Sequence, residues 1–128
     1  MKTLRRYRTS LGGFMTALVA VWQIASPLNL SAATFVWNQT GAGPFAWDLN
    51  TNWTPITVPN AADDIADLSQ ANLSANQTIN MTSANTVGTI LLGDSLGSST
   101  YTLAAGGGSL TFDVVAGSAL LFKNRGGG

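Results

Sequence analysis

Residues Gly97–Phe122 read GSSTYTLAAGGGSLTFDVVAGSALLF. A Gly-Ser pair opens a short extended run three times, at Gly97-Ser98, Gly108-Ser109 and Gly117-Ser118, with steps of 108 − 97 = 11 and 117 − 108 = 9 residues. Tyr101 and Leu103 share one parity, as do Leu110 and Phe112, and Leu120 and Phe122, so each run presents one apolar face when extended. Gly-Ser corners tolerate the backbone angles of a tight bend. Short strands at regular spacing suit a solenoid, in which neighbouring coils bury a shared core, and equally a sandwich; alternation does not separate the two.

The same texture extends upstream. No segment keeps a 3.6-residue apolar period with caps at its ends. Runs of β-branched, aromatic and aliphatic residues between turn formers predict strands at 34–37, 65–68, 77–81, 87–92, 100–103, 110–115 and 119–122. Residues 61–68 have a second reading that opens with one helical turn, capped by Asn60 and favoured by the aspartates at its start.

The first 33 residues differ in kind. Lys2, Arg5, Arg6 and Arg8 precede an apolar run at 11–25, Pro27 breaks it, and Ser31-Ala32-Ala33 supplies small residues where a signal peptidase reads. This is the secretory layout, with cleavage expected after Ala33. The run is interrupted by glycines and Gln23 and falls short of the roughly 20 apolar residues that span a bilayer. Arg5-Arg6 suggests twin-arginine export, but Arg8 stands where that signal wants an apolar residue, so the general secretory route is expected.

Cleavage leaves 128 − 33 = 95 residues with Lys123 and Arg125 against Asp48, Asp63, Asp64, Asp67, Asp94 and Asp113, a balance of 2 − 6 = −4. The neutrality of the whole chain comes from the basic leader. A basic nucleic-acid footprint is missing, so nucleic-acid partners are set aside. The chain holds no cysteine, histidine or glutamate, which excludes disulfides, Ser-His-Asp or Cys-His catalysis, histidine metal sites and a glutamate acid. No cofactor is expected.

Residues 37–53 read WNQTGAGPFAWDLNTNW. Trp37, Trp47 and Trp53 have two readings. Solvent-facing indoles stack on sugar rings, with Asn38, Asp48, Asn50 and Asn52 bonding hydroxyls; buried ones cover the first coil of a stack, about 150–250 Å² apiece. The cover is the expected role, because an uncapped coil leaves its core in water. The three tryptophans are kept as candidate glycan contacts. Asp63, Asp64 and Asp67 are candidate calcium ligands, though they match no known calcium loop and no metal site is assigned. The six aspartates also raise a carboxylate pair for glycan cleavage, and none is assigned as catalytic. Gly106-Gly107-Gly108 lacks the Lys-Ser/Thr of a phosphate loop and reads as a corner. Asn38, Asn52, Asn72, Asn76 and Asn80 each open an Asn-x-Ser/Thr triplet, expected by chance in so polar a chain; Asn72–Thr82 is expected to bond along turns.

Taken in order, Trp37, Trp47, Asn52-Trp53, Val58-Pro59-Asn60, Asp63-Asp64-Ile65-Ala66-Asp67-Leu68, Val87–Gly93, Tyr101-Thr102-Leu103 and Gly108–Phe112 form one pattern. It resembles the amino-terminal region of bacterial surface proteins with autotransporter-associated β-strand repeats, many of which carry a PEP-CTERM-type sorting signal. The likeness covers nearly all of residues 34–122. It implies an all-β chain that begins a parallel β-helix (β-solenoid), with residues 34–60 as a Trp-rich cap and 61–128 as short strand repeats. It also implies export to the surface of a Gram-negative bacterium or beyond, and a non-catalytic role in adhesion or surface structure. Extracellular glycans or other surface proteins are the implied partners, and no membrane span is expected in the mature chain. The family brings no catalytic residues. The later repeats, membrane barrel and sorting tail of complete members are not in this sequence, which implies a fragment. The alternatives are a carbohydrate-binding β-sandwich and the remnant of a polysaccharide-degrading β-helix enzyme.

Overall fold

The computed structural model describes residues 32–123. The expected leader, apart from Ala32 and Ala33, and the tail from Asn124 onward lie outside the described residues. The described chain is all-β: β1 (Thr34–Trp37), β2 (Phe45–Ala46), β3 (Trp53–Thr54), β4 (Ile65–Leu68), β5 (Gln77–Asn80), β6 (Ala84–Val87), β7 (Thr89–Leu92), β8 (Tyr101–Ala104), β9 (Ser109–Phe112) and β10 (Leu120–Lys123). Its only helical piece is a 3-10 turn at Asn50–Asn52.

The strands form three sheets, in the orders β10-β7-β4-β1-β3, β2-β5-β8 and β6-β9. The chain visits the sheets in rotation. β4, β5 and β6 make one circuit; β7, β8 and β9 lie beside them in parallel; β10 begins the next. Ile65 pairs with Thr89, Gln77 with Tyr101 and Ala84 with Ser109. Those offsets are 89 − 65 = 24, 101 − 77 = 24 and 109 − 84 = 25. The stacking repeat is therefore 24–25 residues. The Gly-Ser steps of 11 and 9 measure something else: the three units fall one in each sheet, as β8, β9 and β10, and mark the sides of a circuit rather than its period. Antiparallel pairing, which a sandwich is built from, is confined to β1 with β3.

Burial follows the register. Phe35, Ala66, Ile90 and Leu121 stand in line across one sheet. The middle pair is fully buried, Phe35 is 7% exposed and Leu121 is 63% exposed. We call the β1–β3 side the front and the β8–β10 side the back. Three departures from expectation have local causes. Residues 87–92 are two strands, because Gly88 turns the corner between sheets with its N–H bonded to the Asp64 carbonyl at 2.9 Å. A Cβ at Gly88 would lie 2.6 Å from Asp63 Cα, so only glycine fits the approach. No helical turn opens at 61: Asp63 sits at φ 66°, and Asp64 accepts the N–H groups of Asn60 and Ala61 instead. In β10 the residue in line with the core is Leu121, so Leu120 and Phe122 face outward.

Candidate functional site

The front is built from the tryptophans. β1 and β3 carry Trp37 and Trp53 as direct antiparallel partners, and the link between them folds Trp47 underneath. All three indoles are buried to within 1%. Trp53 is edge-on to both others, with ring centroids 4.9 Å from Trp37 and 4.8 Å from Trp47, and Phe45 meets Trp37 the same way at 6.4 Å. Such pairs add about 0.5–1.5 kcal/mol each beyond the area they bury. The Trp37 indole N–H donates to Gln77 Oε1 at 2.6 Å, and the Gln77 amide donates on to the Gly41 carbonyl. Trp53 donates to the Trp47 carbonyl at 2.8 Å. Trp47 Nε1 is buried with no partner.

This geometry corrects the glycan-contact reading of Trp37, Trp47 and Trp53. Stacking on a sugar requires an open ring face, and these rings spend theirs on one another. Their polar neighbours are engaged too: Asn52 donates to the Ala46 carbonyl, Asn38 accepts from Thr54, and Asp48 is saturated.

Asp48 ties the front to the circuit behind it. Its carboxylate accepts from the Thr82 N–H and hydroxyl, the Ser83 N–H and hydroxyl, and the Asn85 amide, at 2.6–3.1 Å. Burial pushes its pKa up, but the bonds from Ser83, Asn85 and Thr82 outweigh that and hold it well below the usual carboxylate range. Asn60 does the same on the next corner, accepting the Thr86 N–H at 2.8 Å. The front edge of β6 is thus closed by side chains, as the front edge of β1 is closed by β3.

The remaining aspartates do not converge. Asp63 accepts from Val115 N–H, Asp64 from its own turn, and Asp67 from Ser69 and Gln70. Asp94 is fully buried at a corner and accepts four backbone N–H groups, from Leu73, Leu96, Ser98 and Ser99. Desolvation raises its pKa; the four donors overcome it and lower the value overall. Asp113 is exposed. Among the described residues no three His, Cys, Asp or Glu side chains gather as metal ligands. Tyr101 is half-buried with an unpartnered hydroxyl, and burial, with the charges of Asp94 and Asp67, raises its pKa.

Sequence reasoning missed the polar residues that face inward. Gln77 and Asn85 are buried at 1% and 2% on positions where alternation expects an apolar side chain. Of the Asn-x-Ser/Thr asparagines, Asn76 bonds the Thr100 N–H between neighbouring circuits, and Asn52 is buried. The back is the opposite of the front. Phe112, Val115, Leu120, Leu121 and Phe122 are 41–79% exposed there. Among the described residues no helix is long and apolar enough to cross a membrane. Comparison of the chain with models of protein families, with curated proteins and with solved structures finds no match.

Proposed function

We propose that this chain is a non-catalytic β-solenoid segment, exported from a bacterial cell and serving as surface structure or adhesive element. The observation that carries the solenoid is the recurrence of parallel pairing at one offset in three sheets at once: 24, 24 and 25 residues. A stack of that kind holds itself together through contacts between successive circuits, needs no cofactor, and offers flat outer faces. Its outer faces here carry Thr78 beside Thr102 and Thr86 beside Thr111, hydroxyl pairs suited to hydrogen bonding with glycans or neighbouring chains. Export rests on the basic-apolar-small order of residues 2–33 and on the resemblance to repeat-bearing surface proteins. The buried indoles argue against a tryptophan-based sugar platform, so contact with a ligand falls to the hydroxyl faces.

Paired cysteines test the architecture in a chain that has none of its own. Thr78→Cys with Thr102→Cys should bridge within one molecule, as should Thr86→Cys with Thr111→Cys. Thr102→Cys with Thr111→Cys, neighbours in sequence but on different sheets, should not; bridging there instead overturns the solenoid. For the role, the full chain is expressed in a Gram-negative host. The expected product begins at Thr34 and is cut by protease added to intact cells. Retention inside the cell with the leader attached would refute export.

A further inference from the structure

We propose that the back of the molecule is a self-association surface, on which two copies of this chain join tail to tail about a two-fold axis. The inference rests on the solenoid reading and goes beyond it by naming a partner.

The two ends are unequal. At the front, β3 closes the edge of β1, and Asp48 and Asn60 bond the N–H groups that approach the edge of β6. At the back, β8, β9 and β10 each have one hydrogen-bonded neighbour among the described residues, and their other edges are unpaired. Unpaired edges recruit strands from other molecules unless charge, proline or a cover blunts them. Here the edge is apolar on both faces: Leu121 points along the core line at 63% exposure, and Leu120 and Phe122 point outward at 55% and 54%. A closed front cannot receive an open back, so head-to-tail stacking is disfavoured and the self-complementary arrangement is back against back.

A two-fold axis through the middle of β10 satisfies the edges and the charges together. Inward side chains must stay inward across the junction, which places Leu121 opposite Leu121 of the second copy. Leu120 then faces Phe122, and Lys123 faces Ala119. The same axis exchanges the other two sheets, setting β8 of one copy against β9 of the other. Among the described residues only two charged side chains are exposed, Asp113 and Lys123, of opposite sign. They lie on opposite sides of β10: Lys123 at its exit, Asp113 on the connection that enters it. The axis swaps those sides, so the lysine of each copy comes over the aspartate-bearing connection of the other, twice. No other rotation that joins the backs brings both apolar edges and both opposite charges into register.

The test uses the full chain. Sedimentation should give twice the 13.3 kDa chain mass. Leu121→Asp should return it to one chain mass. Lys123→Asp and Asp113→Lys, both on exposed side chains that leave the core untouched, should each weaken association at least tenfold, and the double charge reversal should restore it. Leu121→Cys should form a disulfide between copies, because directly opposed residues of antiparallel strands lie about 4.5–5.5 Å apart. Ile56→Cys, exposed at the front, should not. A monomer, an open-ended polymer, or a charge reversal that fails to rescue would overturn the proposal. If association fails while Thr78→Cys still bridges to Thr102→Cys, the solenoid stands and only the tail pairing falls; if both fail, the reading beneath it falls as well.

Discussion

Trp53 is the residue on which the front turns: it is edge-on to two indoles, and its own N–H is bonded to the Trp47 carbonyl. Trp53→Ala removes a fully buried ring and both edge contacts, and should cost about 3–5 kcal/mol in urea unfolding. The same burial fixes the spectroscopy. Native emission should be blue-shifted and should not respond to soluble glycans; red-shifted emission quenched by sugar would restore the platform reading. Asp48 gives a second prediction with a definite sign. Its folded pKa lies below the unfolded one, so its contribution is present at neutral pH and fades as pH falls below about 4 toward the folded value. Asp48→Asn should destabilise by about 1 kcal/mol at pH 7, a modest figure because solvent reaches the carboxylate. The gap between wild type and variant should close in acid, and a gap that widens there would remove Asp48 from the role.

At the scale of the element, corners decide more than strands. Gly88→Ala pushes a Cβ into Asp63 Cα, and the backbone there is already held by Gly88 N–H to Asp64, so neither side can give way. We expect a loss of about 1–3 kcal/mol, the range of an overpacked site. Gly41→Ala is the control: its Cβ meets only Phe45 at an ordinary 3.8 Å, and stability should hold within about 0.5 kcal/mol. These corners also explain what is legible in the sequence. Strands with a clean alternation, such as 34–37 and 65–68, are readable because one face is buried and the chain shows it. β6 is not, since Asn85 occupies an inward position and is satisfied by Asp48, 37 residues away. β2 and β3 are two residues each, too short for any period to register. The phase of β10 is unreadable for another reason: three consecutive apolar residues fit either face, and only pairing with β7 selects Leu121. The tryptophans are legible as a cluster but not as to exposure, because burial is a property of what folds over them.

The molecule as a whole is graded from one end to the other. Ile90 has a neighbour on each side and is fully buried, whereas Leu121, in line with it, has one neighbour and is largely exposed. In a stack, each circuit is stabilised by those it touches, so local opening should cost most in the middle and least at an end without a cover. The front is plugged and the back is not, so the gradient should run one way. Amide hydrogen exchange measures it directly. Protection should be highest along β4 and β7, where Ala66, Leu68 and Ile90 are fully buried, and should stay high in β1 under the indole cover. In dilute solution β10 should exchange at least tenfold faster than β7. Raising the protein concentration should then slow β10, β8 and β9 together and leave β1 unchanged, because joining two backs covers the open edges and touches nothing at the front. Uniform protection from β1 to β10 at every concentration would mean that a circuit gains nothing from its neighbours, and contact between successive circuits would not be what holds the chain folded.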